Sequence, residues 1–205
     1  LHVAYHEAGH AVAAMRLLHG FHSARVLPTG QTSFVDRKGV QRTGLVGNVD
    51  TGNAFNHPPT LSSMLDVPVE NRADLFDWGI RHIVVDLAGP FSEARHSGRS
   101  RLWALEIGGD RDWADVSRIA RFLVPDERDC GRLLLAAESL TGKLVKTDWA
   151  VISAIAERLA TYGEMDGSDP ILAGVERVRE PLVDARWSDS SVAWAWRRQR
   201  RAQPG

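Results

Sequence analysis

The stretch Tyr5-His6-Glu7-Ala8-Gly9-His10-Ala11-Val12 decides how this chain is read. Two histidines four apart, with a glutamate directly after the first, make an HExxH pattern. Positions i and i+4 share one face of a helix, so His6 and His10 can both reach a single metal ion. Glu7 stands beside them, where it can polarise a metal-bound water. Outward from the motif, Val3 to Leu18 is mostly Ala, Val, Leu and Met, Arg16 is the only charged residue after His10, and Gly20 suits a C-terminal stop. A helix that is apolar nearly all round is a buried helix. Buried histidines and a buried glutamate need partners, and a metal supplies one. Gly9 costs about 1 kcal/mol in a helix interior relative to Ala, which the close approach of another backbone would justify. The bland alternative is an accidental HExxH on an ordinary core helix, and the apolar context weighs against it.

A chain of 205 residues can bury a substantial core and suits one domain plus an extension. With 43% hydrophobic and 25% charged residues, the composition is that of a soluble globular protein. The near-neutral net charge of -1 gives no reason to expect nucleic acid as a partner. A single cysteine, Cys130, excludes an internal disulfide framework and a cysteine-rich zinc site. No run approaches the roughly 18–20 apolar residues needed to cross a bilayer, and no signal peptide is visible, so the expectation is a cytoplasmic protein without a membrane segment. The chain begins at Leu1 with five residues before the motif and reads as a trimmed piece of a longer protein.

Ser23 to Gly30 and Thr43 to Val49 read as short strands bounded by turn residues, forming a small antiparallel sheet beside the motif helix. An edge strand of this kind can hold an extended peptide by main-chain hydrogen bonds, which makes Leu45, Val46 and Gly47 candidate substrate-binding residues. Asp50 to about Pro68 is rich in Asn, Gly, Pro and Ser and reads as a long loop, with His57 in it. Helical patterning runs from about Asn71 to His96, with a kink or restart expected at Gly89-Pro90. Gly108-Gly109-Asp110 looks like a turn into a helix over about Arg111 to Leu123, with Asp110 a fair N-cap. Further helices are expected over about Glu127 to Leu140 and Thr147 to Tyr162, closed by Gly163 and an Asp166-Gly167 turn. The expected architecture is mainly α, α+β in class: a domain over residues 1–170 and a Trp/Arg-rich, partly flexible extension over 171–205. That extension carries Trp187, Trp194 and Trp196 among Arg197, Arg198, Arg200 and Arg201; it is either a partner-docking tail or a solvated end.

A catalytic zinc keeps three protein ligands and one water. The metzincin pattern would place its third histidine at position 16, which is Arg16, so that clan is excluded. Glu93, Asp110, Asp112, Asp115, His82 and His96 remain, and spacing does not choose among them. Asp112 has one local advantage: in the first turn of a helix its carboxylate is held by rigid backbone and stays ionised near the positive dipole end. For Asp110 and Asp112 the competing reading is simple helix capping.

Tyr5-His6-Glu7-Ala8-Gly9-His10-Ala11 resembles the active-site helix of the FtsH-type ATP-dependent zinc peptidases, whose HEAGHA wording it reproduces. Arg25-Val26-Leu27-Pro28-Thr29-Gly30 is similar to that family's strand ending in a Pro-x-Gly turn, and Gly44-Leu45-Val46-Gly47 to the strand after it. Leu87 to Ala94 resembles its Leu-Gly-Gly-Arg-x-Ala-Glu-Glu helix, Gly108 to Trp113 its Gly-Ala-x-Asn-Asp-Leu segment, and Trp149 to Gly167 its later part. The likeness spans about residues 3–170. It implies a zincin-like helical peptidase fold, Zn²⁺ held by His6, His10 and Asp112, Glu7 as general base, and Glu93 orienting a histidine. Pro90 stands where the family has arginine, Ala94 where it has a second glutamate, and Arg111 where it has asparagine. No GxxxxGK[ST] phosphate loop is present, since Thr141-Gly142-Lys143 lacks the first glycine. Either the family's ATPase module and membrane anchor lie outside this sequence or the chain is a stand-alone relative, and the Arg-rich tail, no family hallmark, favours a stand-alone divergent relative. The implied activity is zinc-dependent cleavage of polypeptides, with homo-oligomerisation and a separate ATPase or adaptor as possible partnerships. Two alternatives stay open: a catalytically weak or inactive zinc-binding scaffold, and a regulatory peptidase that cuts one dedicated partner.

Overall fold

Helix α1 (His2–Leu17) is the apolar helix expected around the motif, and every residue from Ala4 to Met15 is buried. It ends where the Leu18 and Gly20 N–H groups both return to the Ala14 carbonyl, at 2.8 and 3.3 Å. The structure, a computed structural model, describes residues 1–18, 20–35, 39, 41–44, 46–51, 72–107, 109–180 and 182.

The main partner of α1 is α2 (Arg72–Ser97). Gly9 explains the intimacy of this pair. A Cβ there would overlap the Ala88 carbonyl and the Ser92 hydroxyl of α2, so only glycine lets the two backbones meet. Of the kink or restart expected at Gly89-Pro90, the restart does not occur: α2 runs for 26 residues with Pro90 inside it. Proline forgoes the hydrogen bond to the carbonyl four residues back, at a cost of about 3 kcal/mol. Burial offsets that cost, because Ile80, Ile83, Leu87 and Phe91 on the same helix are almost wholly excluded from solvent. The proline ring fills the space over Gly109, where a Cβ would strike it.

Around α2 lie α3 (Arg101–Ile107), α4 (Asp110–Leu123) and α5 (Glu127–Thr147), while α6 (Trp149–Tyr162) packs on α1. Gly109 is the N-cap of α4, and Asp110, expected there from sequence, is instead the first helical residue, its carboxylate accepting from the Arg111 N–H at 2.8 Å. Helix α5 starts at an Asp126 cap that accepts from the Asp129 N–H at 3.1 Å, a feature worth about 1 kcal/mol, and runs past Leu140 to Thr147.

The small sheet beside α1 is antiparallel, with β1 (Ser23–Val26) between β4 (Gly47–Asp50) and β5 (Glu164–Asp166). Its register pairs Ala24 with Val49 on one side and with Met165 on the other. Strand β5, not expected from sequence, runs into the expected turn at Asp166-Gly167, where the Asp169 N–H donates to the Asp166 carbonyl at 3.1 Å. Strands β2 (Ser33–Val35) and β3 (Gln41–Thr43) form a separate hairpin. Leu45, nearly all of the expected loop to Pro68 with His57, and the Trp/Arg-rich stretch beyond Leu182 lie outside the described residues.

Residues 170–182, drawn from sequence largely into the extension, pack against the domain. Leu172 and Val175 are buried, and the Val178 N–H donates to the Arg16 carbonyl at 2.8 Å. Arg81 ties this segment down. Its guanidinium donates to Asp77 at 2.6 Å, to the Leu17 and Val178 carbonyls at 2.9 Å each, and to the Glu180 carbonyl at 2.7 Å. Asp77 in turn accepts from the Leu182 N–H at 2.8 Å. Among the described residues no helix is long and apolar enough to cross a membrane.

Candidate metal centre

One turn of α1 separates His6 from His10, so both rings project from the same face. The N-terminal turn of α4 brings Asp112 to them: one carboxylate oxygen lies 3.0 Å from His6 Nε2 and the other 3.6 Å from His10 Nε2. The ligand atoms of the three side chains all fall within 4.8 Å of one another, and the group could hold a metal ion. Ligands about 2.0–2.1 Å from a tetrahedral ion stand about 3.3 Å apart, and the two distances, each to a different carboxylate oxygen, are of that order.

The outer ring nitrogens are already committed. His6 Nδ1 donates to Glu93 at 3.0 Å and His10 Nδ1 to the Val85 carbonyl at 2.8 Å, both from α2. With Nδ1 carrying a hydrogen, each Nε2 is the atom left to bind a metal. Room for the His10 ring depends on Gly89, where any Cβ would overlap the imidazole. Gly47 at the start of β4 plays the same part for Glu7, whose carboxylate lies against its α-carbon.

Burial and charge act together on these groups. Burial opposes charging of His6, yet its hydrogen bonds to Asp112 and Glu93 prevail and raise it to about 10. For His10, burial is likewise outweighed by the Asp112 charge, and the shift is upward. Burial works to raise the Asp112 carboxyl, but the two imidazoles overcome it and hold it well below the usual carboxylate range. Without a metal the cluster is therefore a proton-rich His–Asp network, and ion binding must expel protons. Burial raises the Glu7 carboxyl despite the pull of both histidines.

These groups face a cavity of about 400 Å³ whose rim includes Val46, Gly47, Asn48 and Arg111. Asp110 and Asp115, both weighed as ligands, line it without joining the metal-binding group. Glu93 sits behind His6. The other two candidates are elsewhere: His82 packs on Trp78, with centroids 4.2 Å apart, and His96 stacks on Tyr5 at 3.7 Å. Sequence reasoning missed two participants. The Val85 carbonyl is a backbone group with no residue-type signature. Asp86 also lines the cavity, and burial pushes its carboxyl up to about 8; its place on an otherwise apolar turn of α2 was the available signal. No family model matches the chain, and no curated protein matches it.

Proposed function

We propose that this chain is a zincin-like, zinc-dependent endopeptidase acting on polypeptide substrates. The observation that carries the proposal is the convergence of His6 Nε2, His10 Nε2 and the Asp112 carboxylate beside the buried Glu7 carboxylate in an open cavity. Two imidazoles and one carboxylate suit Zn²⁺, and the committed Nδ1 atoms leave the correct nitrogens facing inward. The resemblance of residues 3–170 to FtsH-type peptidases supports the same reading.

When bound, zinc supplies Lewis acidity to the scissile carbonyl and acidity to a coordinated water. Glu7, its basicity raised by burial, takes a proton from the attacking water and returns it to the leaving amine. Glu93 and the Val85 carbonyl hold the two imidazoles in one tautomer and orientation. Strand β4 lies at the edge of its sheet, so an extended peptide can pair beside Val46 and Gly47 and run across the cavity. A separate ATPase or adaptor chain would deliver folded substrates.

Replacing Glu7→Gln tests this directly. Zinc content should persist while cleavage of an unfolded protein falls by about 10²–10⁴-fold. Undiminished cleavage in that variant would sink the mechanism, and a zinc-loaded wild type that cuts no unfolded protein would leave a metal-binding scaffold.

A further inference from the structure

A second cavity, also of about 400 Å³, opens where the C-terminal turns of α2 and α5 meet the start of α3. Arg95, Arg99, Arg101 and Lys146 ring it, buried Phe91 and Val145 form part of its floor, and among the described residues no carboxylate lines it. The whole chain carries 25 basic and 26 acidic side chains, so four cations with no acid in one cavity is a marked local imbalance.

Aromatic rings hold these guanidinium groups. Arg99 lies 3.9 Å from the Trp103 centroid, Arg101 4.7 Å from that of Phe91, and Arg95 4.4 Å from that of Trp149. A ring attracts the cation without accepting its N–H groups in conventional hydrogen bonds. Arg95 gives one donor to the Val145 carbonyl at 3.3 Å. Among the described residues, the side chains of Arg99, Arg101 and Lys146 make no hydrogen bond or ion pair. Gly142 of α5 faces Arg101 closely: a Cβ there would stand 3.2 Å from its guanidinium, and a larger side chain would displace it. Cations near helix C-termini also favour the helix dipole. That accounts for Arg95, which reaches a last-turn carbonyl, but not for Arg99 and Arg101, which donate to none.

Mutually repelling cations with open donors favour an anionic ligand, and arginine forks match phosphoryl oxygens two at a time. The volume is that of a small-molecule site, and the apolar floor suits an uncharged portion. We propose that this cavity binds a small organic phosphate, its phosphoryl group held by Arg99, Arg101 and Lys146 and its uncharged part seated in the rest of the cavity. This site is independent of the metal centre and of the activity proposed for it.

Calorimetric titration of the full chain with phenyl phosphate, inorganic phosphate and citrate tests the proposal. Saturable binding of phenyl phosphate, tighter than that of the other two, is expected. The double change Arg99→Ala with Arg101→Ala should weaken it by about tenfold or more. Gly142→Val, which displaces Arg101 without removing charge, should also weaken it, while Lys143→Ala, exposed and outside the cavity, should not. Absence of saturable phenyl phosphate binding, equal affinity for citrate, or affinity unchanged in the double variant would overturn it. So would tight binding of a single-stranded oligonucleotide that grows with its length while phenyl phosphate fails to saturate.

Discussion

Glu93 and the Val85 carbonyl decide which nitrogen each histidine turns inward, so the metal centre depends on residues that touch no metal. Changing Glu93→Gln keeps the shape but weakens the hydrogen bond that fixes His6. Zinc affinity, measured by chelator competition, should fall by about 10–100-fold. Gly47→Ala acts on the other partner: its methyl would invade the Glu7 carboxylate, so cleavage should fall while bound zinc remains. Equal loss of zinc and activity would argue against so local an effect. A pH signature belongs to His82. Burial holds its ring at about 4, below the ordinary 6.5, so between those values the unfolded chain binds more protons than the folded one. Stability from the neutral ring is fully present above pH 6.5 and is lost as pH falls towards 4, a span of about 3 kcal/mol. Urea midpoints should therefore fall more steeply over this range for the wild type than for His82→Phe. Parallel curves would contradict the assignment. At this scale the motif residues were legible, because HExxH encodes its geometry in a spacing. Asp112 was legible as one of several candidates through its helix-start context and singled out by resemblance. A backbone acceptor and a glycine needed only for clearance leave no such mark.

Helix α2 is the platform on which the other elements converge. It supplies Glu93 and the Val85 carbonyl to the metal centre, Ala88 to the α1 crossing, and Arg81 to the C-terminal segment. Arg81→Ala would leave Asp77 without its cation and three carbonyls without their donor. A loss of about 3–5 kcal/mol is expected by denaturant unfolding, with early proteolysis near residue 180. The long, patterned helices were readable in sequence. Strand β5 and the β2–β3 hairpin were not, because strands of three residues owe their existence to partners distant in the chain rather than to local pattern. Helix α3, seven residues long, carries too few turns for a periodicity to stand out. Pro90 left a kink and a restart both open from sequence; the helix continues through it because buried neighbours on both sides hold it together.

Across the whole molecule, the metal-binding group spans more than a hundred positions of sequence, from His6 on the first helix to Asp112 on the fourth. Helices α1 and α4 share few direct contacts, and α2 lies against both. Any ion held by all three side chains thus favours the folded state by mass action, by about 4 kcal/mol at a thousandfold excess over its dissociation constant. Thermal unfolding should shift upward on zinc addition and downward with chelator, and Asp112→Ala should abolish most of the shift. A bound ion would act as a long-range staple, joining α1 directly to α4, two helices that otherwise meet mainly through α2. The protein's resistance to heat would become a gauge of metal supply, registering scarcity as loss of the molecule itself before any substrate is met.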